Sequence, residues 1–479
     1  MFPGLRIIKL YTAVILVAIG FQYCSLDTSL YQHIPTEDAY KGIQDVQNGL
    51  NGAYQRFGYY TFYGRNVPAT SDMISDISVA NASSGHFVSI SQWTFNEYDS
   101  YVLDMWSAGY NLIDRCVRGI NGGTALIGGA QEHNFTTAQV NQLHGYVSQF
   151  HSLRAMANLM LVNLYGLPYQ AGSENDQKGI VLITTQPIKE FEQVKRSTVG
   201  ETYTQILADI TKAKEHMAKL SAKEKNAINQ YYFNEAAIYA LEARTKLYMQ
   251  DYDGAKVAAQ TALDLRKSTD ETFESYVAMW KSTAITKEDI FTIVKSDNDN
   301  LSANALNTLY GSYKATISTF ARGKLASNDI RKGLISGTHP MKFDGTATAQ
   351  AVSNIPVFRK SEMYLIIAES NLKGSTVDIS AAQNALFYTA KRDKDITSES
   401  ELPSSKEELI QFVSDERVRE FFQEGHRYFD LRRTGEKTTI AGVANYQMSK
   451  FVFPIPDEEV QAGFGVEQNT GWNDLKPKK

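Results

Sequence analysis

Apolar residues recur every three to four positions through long stretches of this 479-residue chain, the spacing of helices that bury one face. Val147 to Leu164 carries Phe150, Leu153, Ala157, Met160, Leu161 and Leu164 on one stripe, and Gly166 and Pro168 mark its end. The pattern pairs this helix with another over Thr198 to Leu220. Trp106 falls on a third stripe with Leu103, Tyr110 and Ile113, and Trp280 follows Tyr276 and Val277, so both tryptophans are predicted to be core.

Two stretches repeat a helical hairpin. Asn234 to Leu265 reads as a helix, a tight turn at Gln250–Gly254 and a second helix. Small Ala243 faces the partner, Tyr252 plugs the turn, and Ala255 and Ala262 recur behind it, as in a tetratricopeptide repeat. A looser copy runs from Phe358 to Arg392, with Ala368 at the small position, Lys373-Gly374 at the turn and Ala381 and Ala385 beyond. The predicted fold is mainly α: a tetratricopeptide-like α/α superhelix with long irregular loops and minor β.

Between these elements the periodicity fails. Residues 59–104 alternate Gly, Asn, Ser, Asp and aromatics with little helical signal, which predicts a long ordered loop. An exposed aromatic ringed by amides and carboxylates suits the apolar face and hydroxyl rim of a sugar. Trp93, with Asn96, Glu97 and Tyr98 beside it, fits that description, and Asp72 and Asp76 are candidates to reach the same place. A second irregular stretch, 295–324, spaces Asn300, Asn304, Asn307, Tyr310 and Tyr313 at three to four residues, predicting one polar, aromatic-bearing face. Asp297, Asp299 and Asn300 lack the glycine and distal glutamate of a calcium loop, so no metal is assigned.

The segment from Asp415 to Gly435 is dense in arginine and carboxylate around Phe421-Phe422. Arg419, Glu424, Arg427, Asp430 and Arg433 suit a partly buried ion network between a helix ending at Gly425 and the one that follows. At the other end, Arg6 and Lys9 precede an apolar run from Leu10 to Phe21, too short to span a bilayer comfortably, and Cys24 comes directly after it. This order predicts a signal peptide over residues 1–23 and lipidation of Cys24, leaving 24–479 as a single domain. The second cysteine, Cys116, lies in the apolar pattern Leu112, Ile113, Cys116, Val117 and is predicted to be a buried thiol. A formal net charge of -5 with 21% charged residues points away from a nucleic-acid surface. No Gly-x-Ser-x-Gly elbow, HExxH, P-loop or GxGxxG is present, so neither enzyme activity nor a cofactor is assigned.

Several of these motifs carry a resemblance. Glu416, Arg419, Glu420, Glu424, Gly425, Arg427, Tyr428, Asp430, Leu431 and Arg433 resemble the C-terminal signature of the SusD/RagB family. RAMANLMLVNLYGLPY, with Arg154, Leu161, Tyr165, Gly166 and Pro168, is similar to that family's helix end. FRKSEMYLIIAESN, Glu288-Asp289-Ile290-Phe291 and FVFPIPDEEVQAGFGVEQNTGW look like its later segments. The resemblance implies a surface lipoprotein of the outer membrane that binds glycans, or peptides in the RagB branch, and delivers them to a TonB-dependent transporter of the SusC type. It implies no residue-by-residue ligand set. A helical-repeat scaffold for protein interaction stays open beside the oligosaccharide and peptide readings.

Overall fold

Among the described residues, eleven helices of eight or more residues form the scaffold: α1 (Ile43–Phe57), α2 (Asn66–Ile74), α3 (Ser100–Gly128), α4 (Thr137–Tyr165), α5 (Val199–Met217), α6 (Glu235–Tyr248), α7 (Tyr252–Arg266), α8 (Lys360–Lys373), α9 (Ile379–Ala390), α10 (Lys406–Phe421) and α11 (Arg427–Thr434). They come from a computed structural model that describes residues 39–189, 191–345 and 352–478. The expected signal peptide and Cys24 lie outside the described residues.

Neighbours in sequence are neighbours in space. α3 packs on α4, α4 on α5, α5 on α6, α6 on α7, α7 on α8 and α8 on α9, while α1 closes one end against α3 and α4. Local chemistry sets the starts: Thr136 and Thr198 cap α4 and α5 in reciprocal boxes with Gln139 and Glu201, and Asn234 and Asp251 cap α6 and α7. Small side chains then set the helix spacing. Ala243, Ala255, Ala259 and Ala262 are all fully buried in the α6/α7 pair, as the repeat pattern predicts. Gly119 of α3 lies under Phe150 of α4, where a Cβ would stand 2.3 Å from the ring. Trp106 is 1% exposed between Tyr110 and Tyr165, and Cys116 and Trp280 are buried as expected.

The strands are minor: β1 (Ser78–Val79), β2 (Asp289–Ile293), β3 (Thr316–Ile317), β4 (Ile335–Ser336), β5 (His339–Pro340), β6 (Ile355–Arg359), β7 (Lys437–Ile440) and β8 (Val443–Gln447). They pair antiparallel as β1 with β3, β2 with β6, β4 with β5 and β7 with β8. One expectation needs correction here. The 59–104 stretch is not helix-free, because α2 forms inside it with all nine residues buried. A helix enclosed on every side shows no amphipathic period to read.

The C-terminal cluster is structural, yet its partners lie further afield than the sequence spacing suggested. Glu424 takes Arg359 and Lys342, Arg433 takes Glu369, and Arg427 takes Asp76 and Glu436; Asp430, between Arg417 and Arg433, ties α10 to α11, as does the Arg427 guanidinium donating to Ser414. Gly425 makes the turn between the two helices at φ 78°, and a Cβ there would meet the Pro68 backbone at 2.3 Å. The signature glycine is thus where α2 docks against the α10–α11 corner.

Candidate functional site

The two irregular stretches meet. Ser78 and Val79 pair with Ile317 and Thr316 across β1 and β3, and Ile317 donates its N–H to the Thr338 carbonyl, 3.0 Å. The Ser318 hydroxyl reaches the Asp76 carbonyl at 2.5 Å, and the Asn81 amide reaches the Tyr313 carbonyl at 3.2 Å. The two loops are thus joined edge to edge into one floor.

On that floor the His86 ring stacks on Tyr313, with centroids 3.7 Å apart and planes 13° from parallel. Phe87, held at φ 56°, turns inward, stacks on Tyr101 at 4.1 Å and donates its N–H to the Tyr101 hydroxyl. The Arg65 guanidinium lies over Tyr60 and Phe87 and donates to Asn304 at 2.8 Å and Asn66 at 2.9 Å. Burial, then the neighbouring Arg65 charge, pushes His86 below its ordinary pKa, so near neutral pH the ring is an uncharged aromatic surface. Tyr59 and Tyr60 form a further tilted pair with centroids 4.6 Å apart, and Tyr59 is 41% exposed.

Next to this platform opens a cavity of about 640 Å³ lined by Asn307, Thr308, Ser312, Lys314, Thr316, Thr338 and the His339–Asp344 pair. His339 Nε2 and Asp344 Oδ1 are 2.7 Å apart. Tyr313 stands between two lining residues, Ser312 and Lys314. The volume suits a small ligand, and hydroxyls, an amide and the hydrogen-bonded His339–Asp344 side chains offer both donors and acceptors.

The sequence-predicted site residues divide. Tyr313 is half-buried in the platform. Asn96 and Tyr98 are exposed, but neither lines the cavity; Glu97 between them holds the C-terminal segment, accepting from Asp457 N at 3.0 Å. Three others, Trp93, Asp76 and Asp72, are corrected, whereas Tyr310 lines the cavity although its side chain is almost wholly buried. Trp93 is 6% exposed, enclosed by Phe95, Tyr446 and Phe451, because the aromatic segment 446–453 covers its rings. Asp76 is spent on Arg427, with both oxygens at 2.9 Å, and on Thr438. Asp72 is fully buried in α2, and desolvation raises its pKa well above the usual carboxylate range despite nearby Lys342. Tyr310 is 1% exposed, its hydroxyl 3.3 Å from Ser78 Oγ, since the turn at Leu306–Tyr310 rotates it inward. His86, Arg65 and Tyr60 were not read from the sequence as site residues; only contact across the two loops reveals them.

Comparison with known proteins gives the family. A family model described as the SusD family matches residues 223–472, more than half of the chain. Another, described as starch-binding and associating with the outer membrane, matches residues 26–247. The chain belongs to the SusD family, a class of carbohydrate-binding proteins associated with the outer membrane. Among solved structures it is similar to a SusD superfamily protein from Bacteroides thetaiotaomicron, with 20% identity, TM-score 0.77, 89% of this chain and 99% of that one. It is also similar to a SusD superfamily protein from Bacteroides vulgatus, with 24% identity, TM-score 0.76, 90% and 99%. A laminarin-binding SusD-like protein is similar at 18% identity, TM-score 0.66, 90% and 100%. At such identities these likenesses speak to the fold. A curated relative, SusD-like protein P2 of Formosa agariphila, is 23% identical over 182 residues, spanning 37% of this chain and only 32% of the relative. Among the described residues no helix is long and apolar enough to cross a membrane.

Proposed function

We propose that this protein is a cell-surface lipoprotein that captures an oligosaccharide in the cleft between residues 59–104 and 295–324 and passes it to a partner TonB-dependent outer-membrane transporter. The observation that carries the reading is the His86–Tyr313 stack beside a cavity to which the neighbours Ser312 and Lys314 contribute. A flat apolar surface beside hydroxyl and amide groups is what a pyranose ring, apolar on its faces and polar at its rim, requires. The role is binding and release, with no bond made or broken. Cys24 supplies the anchor: acyl chains contribute about 0.8 kcal/mol per buried methylene, so several chains hold a protein on a membrane.

A glycan array run beside a peptide library tests the proposal. Oligosaccharide binding that weakens several-fold in Tyr313→Ala supports it. Peptide binding without sugar binding transfers the same cleft to the peptide-uptake reading, and binding to neither leaves the helical-repeat scaffold as the better account.

A further inference from the structure

A second concavity, about 180 Å³ and sharing no lining residue with the 640 Å³ cavity, lies where α1 meets β2. Its floor is aromatic and rigid. Phe57 stacks on Phe291 at 5.9 Å, Tyr54 meets Phe291 edge-on at 6.3 Å, and Phe233 backs Phe291 at 4.5 Å. Over that floor stands Tyr232, 39% exposed and T-shaped against Tyr54 with centroids 5.3 Å apart. The rim is polar: exposed Asn51 and Gln55 on α1, and the Lys295–Asp299 ion pair. The Asn51 and Gln55 amides and the Tyr232 hydroxyl hydrogen-bond to none of the described residues, whereas the Tyr54 hydroxyl is committed to Gln149 and to the Phe233 N–H.

We infer that this concavity is an accessory saccharide site that takes a single neutral sugar ring at the end of a glycan chain. Its size, below that of an oligosaccharide pocket, limits it to one ring. Two amides supply donors and acceptors, Asp299 an acceptor and Lys295 a donor. The ammonium and carboxylate compensate each other, so the rim favours an uncharged ligand. Tyr232 supplies the apolar contact. Lys295 and Asp299 begin the same segment that carries Asn304 and Tyr313 into the main cleft, so one loop serves both sites. The inference rests on the sugar-binding reading of the chain and extends it to a second point of attachment.

The experiment uses the full chain with isotope-labelled isoleucine and valine methyl groups. The probes are glucose, galactose, mannose, xylose and N-acetylglucosamine, followed by the best oligosaccharide from an array. Ile293 and Val294 line the accessory site and Ile317 lies in β3 beneath the main cleft, so each site has its own reporter. A sugar is expected to shift Ile293 and Val294 in a saturable manner. Tyr232→Ala should weaken that response several-fold to about tenfold, one aromatic contact's worth, while leaving the Ile317 response intact. Gln55→Ala, an exposed change that spares the floor, should weaken it also. Silence at Ile293 and Val294 with a response at Ile317 overturns the accessory site and leaves the main reading standing. A response at Ile293 and Val294 alone supports the accessory site and contradicts the main cleft, and silence at all three overturns both.

Discussion

Glu420→Gln tests the buried charge network most sharply. The Glu420 carboxylate is fully buried and accepts from Arg331, Arg359, Arg392 and the Tyr276 hydroxyl at 2.8–3.1 Å. Around it Arg331, Arg359, Arg392, Lys342 and Arg419 balance Asp329, Glu288, Glu416, Glu420 and Glu424. Five positive charges meet five negative, so removing one carboxylate charge leaves an uncompensated cation in the interior. Glutamine keeps the shape, and the lost pairing costs roughly 3–5 kcal/mol. At about 2.1 cal/mol/K per residue, a unit spanning Gly42–Lys479 unfolds with an entropy of roughly 0.9 kcal/mol/K. The melting temperature should fall by about 3–5 °C. Burial alone would raise the Glu420 pKa, but Arg392, Arg359 and Arg331 overcome it and hold the group below the usual carboxylate range. A depressed pKa contributes stability that is present above the unfolded value of about 4.3 and is lost as pH falls towards the folded one. The parent should therefore lose melting temperature below about pH 5, and the variant should lose less, because that titration is gone. Asp289, pushed up to about 6 by burial, acts in the opposite sense in both proteins and cancels in the comparison. Calorimetry from pH 7 down to about pH 3, through the unfolded value and well below it, reads both effects. A melting temperature unchanged at pH 7, with parallel acid profiles, would refute the claim that these charges are desolvated and mutually dependent.

Three further outcomes are expected. Tyr313→Ala should weaken the best oligosaccharide several-fold by titration calorimetry with a melting temperature close to the parent's, because the ring is half-buried and its removal opens no core cavity. Trp93→Ala should cost roughly 3–5 kcal/mol of stability, since the indole is enclosed by three aromatic rings; ligand loss without destabilisation would show that the burial is misjudged. Cys24→Ala should move the protein from the outer-membrane fraction to a soluble one and abolish labelling by a fatty-acid analogue, and an unlabelled parent would end the lipoprotein reading.

The helical scaffold was legible because its signals are local. Ala243 with Ala255 and Ala262 and the Gly166–Pro168 stop each act within a few residues, and the helices follow them. The site was legible only in outline. Both loops could be singled out by their lost periodicity, but which side chains face solvent depends on strands and segments far away in sequence. Trp93 sits in a polar stretch and looks available until the chain near Tyr446 and Phe451 folds over it. Asp76 looks like a free acceptor until Arg427, 351 positions later, claims it. His86 gave no signal of its own, because its role comes from a stack on Tyr313 that no spacing encodes. Arg427 was recognised as a network member, yet its partners in α2's neighbourhood and at Glu436 were hidden for the same reason.

We propose that ligand is held where the two irregular loops meet. A crystal structure of the intact protein with the strongest oligosaccharide from a glycan array tests it most directly. The account predicts a sugar ring against the His86–Tyr313 stack, with hydroxyls bonded to side chains of the adjoining cavity. Density for the ligand elsewhere, with His86, Tyr313 and the cavity empty, would contradict it.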